Sequence, residues 1–433
     1  MPNPPWEHPS GLESVLETWS NSSKMQGWLA AAHRLAPRPP QTQPVPDWTH
    51  PALRRALERR GVHQLYSHQR QSVDAAVLGR HVVVATPTAS GKSLCFHLPV
   101  LQALLNDPGQ SALFLYPTKA LSRDQEHGLH ELLGEAGLSI PLTVYDGDTP
   151  GDARKAARDR GRIILTNPDM LHSGILPNHA RWASMFQGLR YVVLDELHTY
   201  RGVFGSHMAH VIGRLQRIAR FHGSNPTFLA ATATIGNPKQ HAARLLGVDE
   251  SDVVLVDESG APQAERELLV VNPPVVNAEL GIRQSTLKTA VSIASDLIHA
   301  RVPTILFGPS RNSVEVMLKY LRERAGKVAG PDAIMGYRGG YLPEHRRAVE
   351  QGLRDGAILC VVTTNALELG IDIGDLDAVV LAGYPGSSAA TWQRFGRAGR
   401  RGKKSAAILV CSSNSIDQYL AQNAAYLLRS GAE

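Results

Sequence analysis

Cysteine is scarce in this chain of 433 residues, which contains only Cys95, Cys360 and Cys411. The three lie far apart in the sequence, and none has the spacing of a metal-ligand pair. Two of them fall inside apolar, strand-like runs. We therefore expect reduced, buried thiols of the kind found in cytosolic proteins, and neither a disulfide framework nor a zinc site.

Long hydrophobic runs are also lacking, since no stretch approaches the roughly 20 apolar residues that a membrane-spanning helix needs. The opening residues, MPNPPWEHPSGLESV, have neither a basic segment nor an apolar core, so no secretory signal is visible. These absences predict a cytoplasmic protein with no membrane contact.

What the chain has is length, an apolar fraction of 43% and a formal net charge of +6. The length favours two or three domains, because one hydrophobic core rarely organises more than about 250–300 residues. The apolar fraction is typical of a globular protein. The positive charge is compatible with a polyanionic partner but does not by itself identify one.

Short apolar runs alternate with helix-like stretches from about Pro51 onward. This alternation predicts parallel sheets flanked by helices, and the near-continuous apolarity predicts strands buried on both faces. The first series of runs lies at 81–87, 112–117, 142–148, 162–168, 191–196 and 227–234. The second series lies at 304–310, 333–339, 358–365, 378–385 and 406–412.

The two series predict two copies of one α/β unit, which we assign to residues 51–256 and 286–433. Residues 257–285 contain strand pieces interrupted by Gly and Pro, which predicts a hairpin-like linker. Residues 1–50 include a Pro-rich connector and are predicted to form an N-terminal extension that is ordered only in part.

The most informative motif is TPTASGKS at 86–93, which follows an apolar run and precedes a helix-like stretch. A turn of this kind can bind phosphates with its backbone N–H groups, with Lys92 on the β- and γ-phosphates and Ser93 on Mg²⁺. The other loop residues assigned to nucleotide binding are Thr88, Ala89, Ser90 and Gly91. Because Thr86 stands where this motif usually has Gly, an ordinary strand–helix turn is the alternative.

A second motif, DELH at 195–198, ends the apolar run that begins at Tyr191. Asp195 would bind Mg²⁺, and Glu196 would orient and deprotonate an attacking water. His198 is predicted to link this site to the other half of a nucleotide-binding cleft. An acidic helix cap is the alternative interpretation. Together the two motifs predict hydrolysis of a nucleoside triphosphate.

With these motifs and the shorter ones between Leu65 and Arg400, the chain resembles superfamily-two helicases of the DEAD/DEAH-box kind. The resemblance implies two tandem RecA-like domains of the P-loop NTPase type, with ATP and Mg²⁺ as cofactors. It also implies that Tyr66 and Gln69, in the segment LYSHQ, contact the adenine base. ATAT, which begins at Ala231, resembles the motif that couples hydrolysis to domain movement.

In the second domain, TTNALELGID at 363–372 resembles a motif in which Asp372 contacts the ribose. QRFGRAGR at 393–400 resembles the arginine-finger motif, which implies that Arg397 and Arg400 stabilise the transition-state charge and that Gln393 contacts the nucleotide. An exposed basic face is the alternative for such an Arg-rich run.

Nucleic-acid contacts are expected in the loops that follow the predicted strands, because the carboxyl ends of parallel strands form the binding crevice. YPTKAL, together with Gln125, and TNPDM resemble two strand-contacting motifs of the family. The residues assigned to these contacts are Thr118, Lys119, Thr166, Asn167, Arg311, Arg338, Gly339, Gly340 and Thr364.

A narrower resemblance, carried by YRGGYLP at 337–343 and by the second-domain motifs, is to the YprA-like, mitomycin-repair (Mrf-type) DNA helicases. It implies a 3′→5′ translocase on single-stranded or tailed duplex DNA that serves repair, monomeric and associated with the nucleoid. Such proteins continue into a four-cysteine zinc region that these 433 residues do not contain. An RNA-dependent ATPase of the DEAD-box kind and an ATP-gated nucleic-acid switch remain alternatives.

Overall fold

The structure is a computed structural model that describes residues 11–233, 235–367, 374, 376–399 and 402–428. The chain divides into two compact units. One unit, Pro40–Ala261, contains the phosphate-loop motif and is called the P-loop unit here. The other, called the split unit, combines the described parts of Met1–Pro39 and Pro262–Glu433.

In chain order, the strands are β1 (Leu29–Leu35), β2 (Thr42–Pro44), β3 (Gln64–Tyr66), β4 (His81–Val84), β5 (Ser111–Leu115), β6 (Leu142–Val144), β7 (Ile163–Thr166), β8 (Leu189–Leu194), β9 (Thr227–Ala231), β10 (Val253–Val256), β11 (Arg266–Val271), β12 (Val275–Asn277), β13 (Ile282–Arg283), β14 (Thr304–Phe307), β15 (Ile334–Tyr337), β16 (Cys360–Thr363), β17 (Ala378–Ala382) and β18 (Ser405–Val410).

The α-helices are α1 (Leu12–Asn21), α2 (Ser23–Trp28), α3 (Pro51–Arg59), α4 (Ser67–Val77), α5 (Ser93–Asn106), α6 (Lys119–Ala136), α7 (Gly151–Arg160), α8 (Pro168–Met170), α9 (Ala183–Gln187), α10 (Gly202–Phe221), α11 (Pro238–Leu246), α12 (Thr286–His299), α13 (Arg311–Ala329), α14 (Pro343–Arg354), α15 (Ser388–Phe395), α16 (Ser415–Gln422) and α17 (Ala425–Leu428). A π-helix spans Leu171–Ile175, and 3₁₀ turns span Leu176–Trp182, Leu197–Thr199, Glu250–Asp252, Pro331–Ala333 and Asn365–Leu367.

The P-loop unit is built on a parallel sheet with the strand order β10-β4-β9-β8-β5-β7-β6. Side chains of one strand point to opposite faces, and each face has its own apolar core. Val82 and Val84 lie in one cluster and Val83 in the other. The sheet is therefore covered on both faces, as near-continuous apolar strands require, and all its carboxyl ends lie along one edge.

The split unit repeats this plan with the order β1-β11-β18-β17-β14-β16-β15. Its strands are parallel except β1, which pairs antiparallel with β11 at the edge of the sheet. The prediction of two α/β, RecA-like domains with parallel sheets is confirmed. The prediction of buried free thiols is also confirmed, since all three cysteines are buried and unbridged.

The N-terminal segment differs from its prediction as a partly ordered extension. Strand β1 joins the sheet of the split unit, and Leu12, Val15 and Trp19 of α1 are buried in its core. The indole Nε1 of Trp19 donates a hydrogen bond to Asp296 Oδ2 at 3.1 Å. The sequence LAAAHRL has weak strand propensity, so pairing with β11 and burial of α1 decide this structure rather than local preference.

The predicted linker at 257–285 also differs in part. Strand β11 is a buried member of the sheet, parallel to β18, whereas β12 and β13 form the expected antiparallel hairpin. Pro and Gly on either side of β11 hide it in the sequence, because they interrupt the alternation of strands and helices. Among the described helices, none combines the length and apolarity needed to cross a bilayer.

Candidate functional site

The loop between β4 and α5 has the backbone shape of a phosphate-binding turn. Ala89 and Gly91 have positive φ values of 63° and 80°, which turns successive backbone N–H groups toward one side of the loop. A Cβ added at Gly91 would lie 2.7 Å from Gln69 Nε2, so only glycine fits there. Lys92 Nζ donates to the carbonyl oxygens of Thr86 at 2.9 Å and Thr232 at 3.2 Å.

Tyr66 and the first turn of α4 hold this loop in place. Gln69 accepts a hydrogen bond from Tyr66 N and donates one to Gly91 O, both at 2.9 Å. His68 Nε2 lies 3.0 Å from Ser90 O, and the Ser90 and Thr86 hydroxyls are 2.7 Å apart. The structure thus brings Tyr66 and Gln69 to the phosphate loop, while their assignment to the adenine base stays a prediction.

Asp195 and Glu196 follow β8, two strands from the P-loop strand. Glu196 has a left-handed backbone with φ of 50°, and its N–H donates to Asp195 Oδ1 at 2.8 Å. Burial and the neighbouring charge of Glu196 raise the pKa of Asp195 to about 7, while the charge of Lys92 opposes this rise. A half-buried carboxylate in this position is stabilised by an added cation.

Oxygen donors at this site suit Mg²⁺, which prefers hard oxygen ligands. Ser93 Oγ donates its proton to Gln125 Oε1 at 3.1 Å, which leaves its lone pairs for a cation. Together with the half-buried carboxylate of Asp195, this hydroxyl makes a donor set of the required chemistry. The residues therefore fit the predicted metal.

His198 bridges the DELH segment and the ATAT segment. Its Nδ1 accepts a hydrogen bond from Ala233 N at 3.3 Å and lies 3.5 Å from Thr232 Oγ1. Burial lowers the pKa of His198, in agreement with an Nδ1 that accepts a proton rather than carries one. These contacts lie within the P-loop unit, and the link from His198 to the other half of a cleft stays a prediction.

The predicted strand-contacting residues of the P-loop unit lie at the carboxyl ends of β5 and β7, which are neighbours. The Thr118 side chain accepts from Leu121 N at the start of α6, and Asn167 accepts from Met170 N at the start of α8. Lys119 Nζ lies 2.9 Å from Asp148 Oδ1. Thr166 is fully buried and its hydroxyl donates to Tyr145 O at 2.6 Å, so that hydroxyl is used internally.

In the split unit, the corresponding residues follow β14, β15 and β16, which are adjacent and parallel. Arg338 Nε lies 3.2 Å from Glu315 Oε1, and its guanidinium lies 5.0 Å from the Tyr341 ring. The residues that share this edge are Arg311, Arg338, Gly339, Gly340 and Thr364. Both glycines are exposed with open space around them.

The arginine-finger motif lies at the end of α15. Gln393 is buried, and Arg397 is among the largest fully buried side chains. Trp392 Nε1 donates to Leu427 O at 2.9 Å, a structural role for that indole. The predicted residues Asp372 and Arg400 lie outside the described residues.

Sequence reasoning missed two side chains that support the site. His68 Nδ1 accepts from Gly260 N at 3.2 Å while its Nε2 contacts the phosphate loop. No local pattern predicts this, because Gly260 is distant in sequence. Tyr116 is fully buried after β5, and burial and the charge of Asp195 raise its pKa; its place beside the strand-contacting motif was the available signal.

Two family models match the chain. Residues 66–242 match the DEAD/DEAH box helicase model, and residues 288–402 match the helicase conserved C-terminal domain. The first match contains the phosphate loop and the DELH segment, and the second contains the Arg-rich motif.

Known proteins resemble the chain over most of its length. An uncharacterized ATP-dependent helicase of Bacillus subtilis, YprA, is 48% identical over 98% of this chain and 55% of that protein. ATP-dependent helicase hrq1 of Schizosaccharomyces pombe is 36% identical over 94% of this chain and 39% of that protein. The crystal structure of the DUF1998 helicase MrfA bound to DNA and AMPPNP has a TM-score of 0.92 and 45% identity, covering 97% of this chain and 58% of that one. The chain thus spans about half the length, or less, of these relatives.

Proposed function

We propose that this chain, which belongs to the DEAD/DEAH-box helicase family, is the ATP-hydrolysing motor core of a DNA helicase. One observation supports the proposal: Lys92 Nζ contacts Thr232 O at 3.2 Å, and His198 Nδ1 lies 3.5 Å from both Thr232 Oγ1 and Glu196 Oε2. The phosphate loop and the acidic pair are thus connected through the loop after β9. A cation for the phosphates near a half-buried acidic pair is what triphosphate hydrolysis requires.

Each residue has a separate task in this mechanism. Lys92 and the backbone N–H groups of the loop hold the phosphates. The loop backbone stays in place because Gln69 bonds to Gly91 O. Ser93 and Asp195 would hold Mg²⁺, which when bound screens the phosphate charge. Glu196 orients the attacking water and accepts its proton.

His198 couples this chemistry to the loop after β9. It contacts Ala233 N and Thr232 Oγ1, while Lys92 contacts Thr232 O. A change at the phosphates therefore reaches Thr232 through two contacts. We assign Arg397 and Arg400 to stabilisation of the transition state, and Gln393 and Asp372 to nucleotide contacts, by their match to the family motifs.

Single-stranded DNA is the proposed partner, bound through its phosphates at the carboxyl edges of both sheets. Support comes from MrfA, which resembles this chain at 45% identity and was crystallised with DNA. An RNA-bound DEAD-box helicase, Mss116, is only 20% identical. We further propose 3′→5′ movement, a role in DNA repair and a monomeric, nucleoid-associated protein, by resemblance to the Mrf-type helicases.

An ATPase assay with single-stranded DNA or RNA of one sequence tests the choice of partner. We expect DNA to stimulate hydrolysis more than RNA. Stronger stimulation by RNA would replace the proposal by an RNA-dependent ATPase. Binding of DNA without any sustained turnover would replace it by an ATP-gated switch.

Strand displacement on duplexes with a 3′ or a 5′ tail tests the direction. The 3′-tailed duplex is expected to be unwound and the 5′-tailed one to stay paired. Preference for the 5′ tail would contradict the direction. Hydrolysis with no strand separation on either would contradict the helicase activity of this chain.

A further inference from the structure

Helix α10, which follows the DELH segment, has a basic face. Its sequence, GVFGSHMAHVIGRLQRIARF, contains no Asp or Glu. His207, His210, Arg214 and Arg217 recur at spacings of three, four and three residues, which places them along one face of the helix. This set is called the α10 stripe here.

The stripe lines a groove of about 580 Å³ in the P-loop unit. The opposite wall is formed by Pro168, Asp169 and His172, at the start of α8 and in the π-helix after it. Gly213 also lines the groove. A glycine in the middle of a helix costs roughly 0.5–1 kcal/mol relative to Ala, and here it leaves the wall without a side chain.

The groove carries a surplus of positive charge. Its lining includes two arginines and three histidines but only one carboxylate, that of Asp169. Within the part of the chain that the structure describes, no ion pair engages any member of the stripe. Two arginines that no described ion pair engages, beside imidazoles that can hydrogen-bond to phosphate oxygens, favour a polyanionic ligand.

The groove is continuous with the strand-contacting loops. Asn167, which is assigned to the nucleic acid, immediately precedes Pro168 on the wall. Phe204, at the other end of the stripe, is 48% exposed and lies 5.6 Å from the Tyr200 ring. An exposed aromatic ring beside cations is the arrangement that binds unpaired bases and their phosphates.

We propose that the α10 stripe and its groove bind the flank of a single strand that continues beyond the strand-contacting loops. The inference rests on the proposed function, because the strand must first occupy the loop at Asn167. The stripe spans eleven residues, His207 to Arg217, or about 15 Å of helix. This length suits several phosphates, which repeat about every 3.4 Å along a stacked strand. Phe204 would stack on a base.

The test compares oligonucleotides of about 6 and about 20 nucleotides, a range that brackets typical single-strand sites. The variant is Arg214→Gln/Arg217→Gln. Its control is Arg220→Gln, on the same helix but bonded to Gln216 O and absent from the groove lining. We expect the double variant to bind only the long strand more weakly. The slope of log K against log salt should become less negative by about 1.4, because two phosphate contacts are lost.

Further measurements keep the test decisive. Thermal unfolding and DNA-free ATP hydrolysis of the variant should match the wild type, because both arginines are outside the nucleotide site. Phe204→Ala should weaken binding of the long strand without changing the slope of log K against log salt. If Arg214→Gln/Arg217→Gln weakened binding of both oligonucleotide lengths equally, or of neither, the proposal would be overturned. The proposal would also be overturned if binding of polyglutamate required Arg214 and Arg217 while binding of DNA did not. The groove would then bind an acidic protein.

Failure of the wild type to bind either strand would contradict the proposed function itself. If the wild type bound both oligonucleotide lengths equally well, only the proposal for the groove would be contradicted.

Discussion

The two units share one sheet plan but differ in the loop that faces phosphates. In the P-loop unit, β4 lies beside β9 and leads through residues 85–92 into α5. In the split unit, β11 lies beside β18 and leads through the β12–β13 hairpin into α12. The same strand position is therefore followed by a phosphate-binding turn in one unit and by a hairpin in the other.

The difference is chemical as well as geometric. The loop after β4 presents backbone N–H groups, whereas the loop after β11 begins with Asn272, Pro273 and Pro274. Proline has no N–H to donate, and the hairpin uses its backbone for pairing. A RecA-like sheet alone does not bind a nucleotide; the loop at this one position decides it.

The largest expected effect is the difference in ATP hydrolysis between substitutions of two lysines, one beside each of these loops. Lys92→Ala should lower kcat/KM for ATP by about 10³, because a preorganised cation at the phosphates is lost. Lys288→Ala is the matched control, since Lys288 is exposed near the start of α12. It should change the rate less than about twofold, as expected for a surface side chain. Steady-state ATPase assays measure the rates of both variants. Equal decreases in rate would contradict the proposed difference between the two loops.

A second experiment asks whether the split unit contributes to catalysis despite its lack of a phosphate loop. Arg397→Lys should lower kcat by about 10² because a Lys cannot replace a bidentate guanidinium. Nucleotide binding, followed with a fluorescent analogue, should change little. Since Arg397 is fully buried, thermal unfolding must confirm that the variant folds. An unchanged kcat in the folded variant would remove Arg397 from the catalytic residues.

A third experiment measures the free-energy cost of placing a side chain at Gly91 in the phosphate loop. Gly79 and Gly91 have similar φ values of 78° and 80°, but only a Cβ at Gly91 meets Gln69 at 2.7 Å. Gly79→Ala should cost about 1–2 kcal/mol of unfolding free energy from backbone strain alone. Gly91→Ala should cost about 1 kcal/mol more and weaken ATP binding. Denaturant unfolding that gives the two variants equal costs would contradict the role of Gln69.

The smallest effect concerns the strand-contacting edge. Asp148 pairs with Lys119 at 2.9 Å and with Arg123 at 3.5 Å, and the hydrogen bond from Lys119 lowers the pKa of Asp148. Asp148→Asn should free Lys119 for phosphate and strengthen single-stranded DNA binding roughly two- to fivefold, as for an exposed ion pair. Fluorescence anisotropy measures this change. Weaker binding would show that Asp148 positions Lys119 rather than competes for it.

Local patterns in the sequence were enough to propose most of this candidate site. A phosphate loop is one continuous segment between a strand and a helix, so Lys92 and Ser93 could be assigned from spacing alone. Asp195 and Glu196 followed for the same reason, since they directly end a buried strand. Within each unit, the residues predicted to contact the strand lie along one edge because parallel strands share a carboxyl edge.

Features that depend on distant partners were not predictable. Strand β1 forms because β11 offers a free edge, and its alanines give no strand signal. His68 is fixed by Gly260, far along the chain. The contact of His198 with Ala233 depends on the order of β8 and β9 in the sheet, which the sequence does not reveal.

The central claim is that Glu196 acts as the base at a site where Lys92 holds the triphosphate. Single-turnover hydrolysis and nucleotide binding by Glu196→Gln test it most directly, because this change removes the proton acceptor and keeps the shape. We predict binding close to that of the wild type and hydrolysis slower by about 10²–10⁴. Turnover equal to that of the wild type would contradict the account.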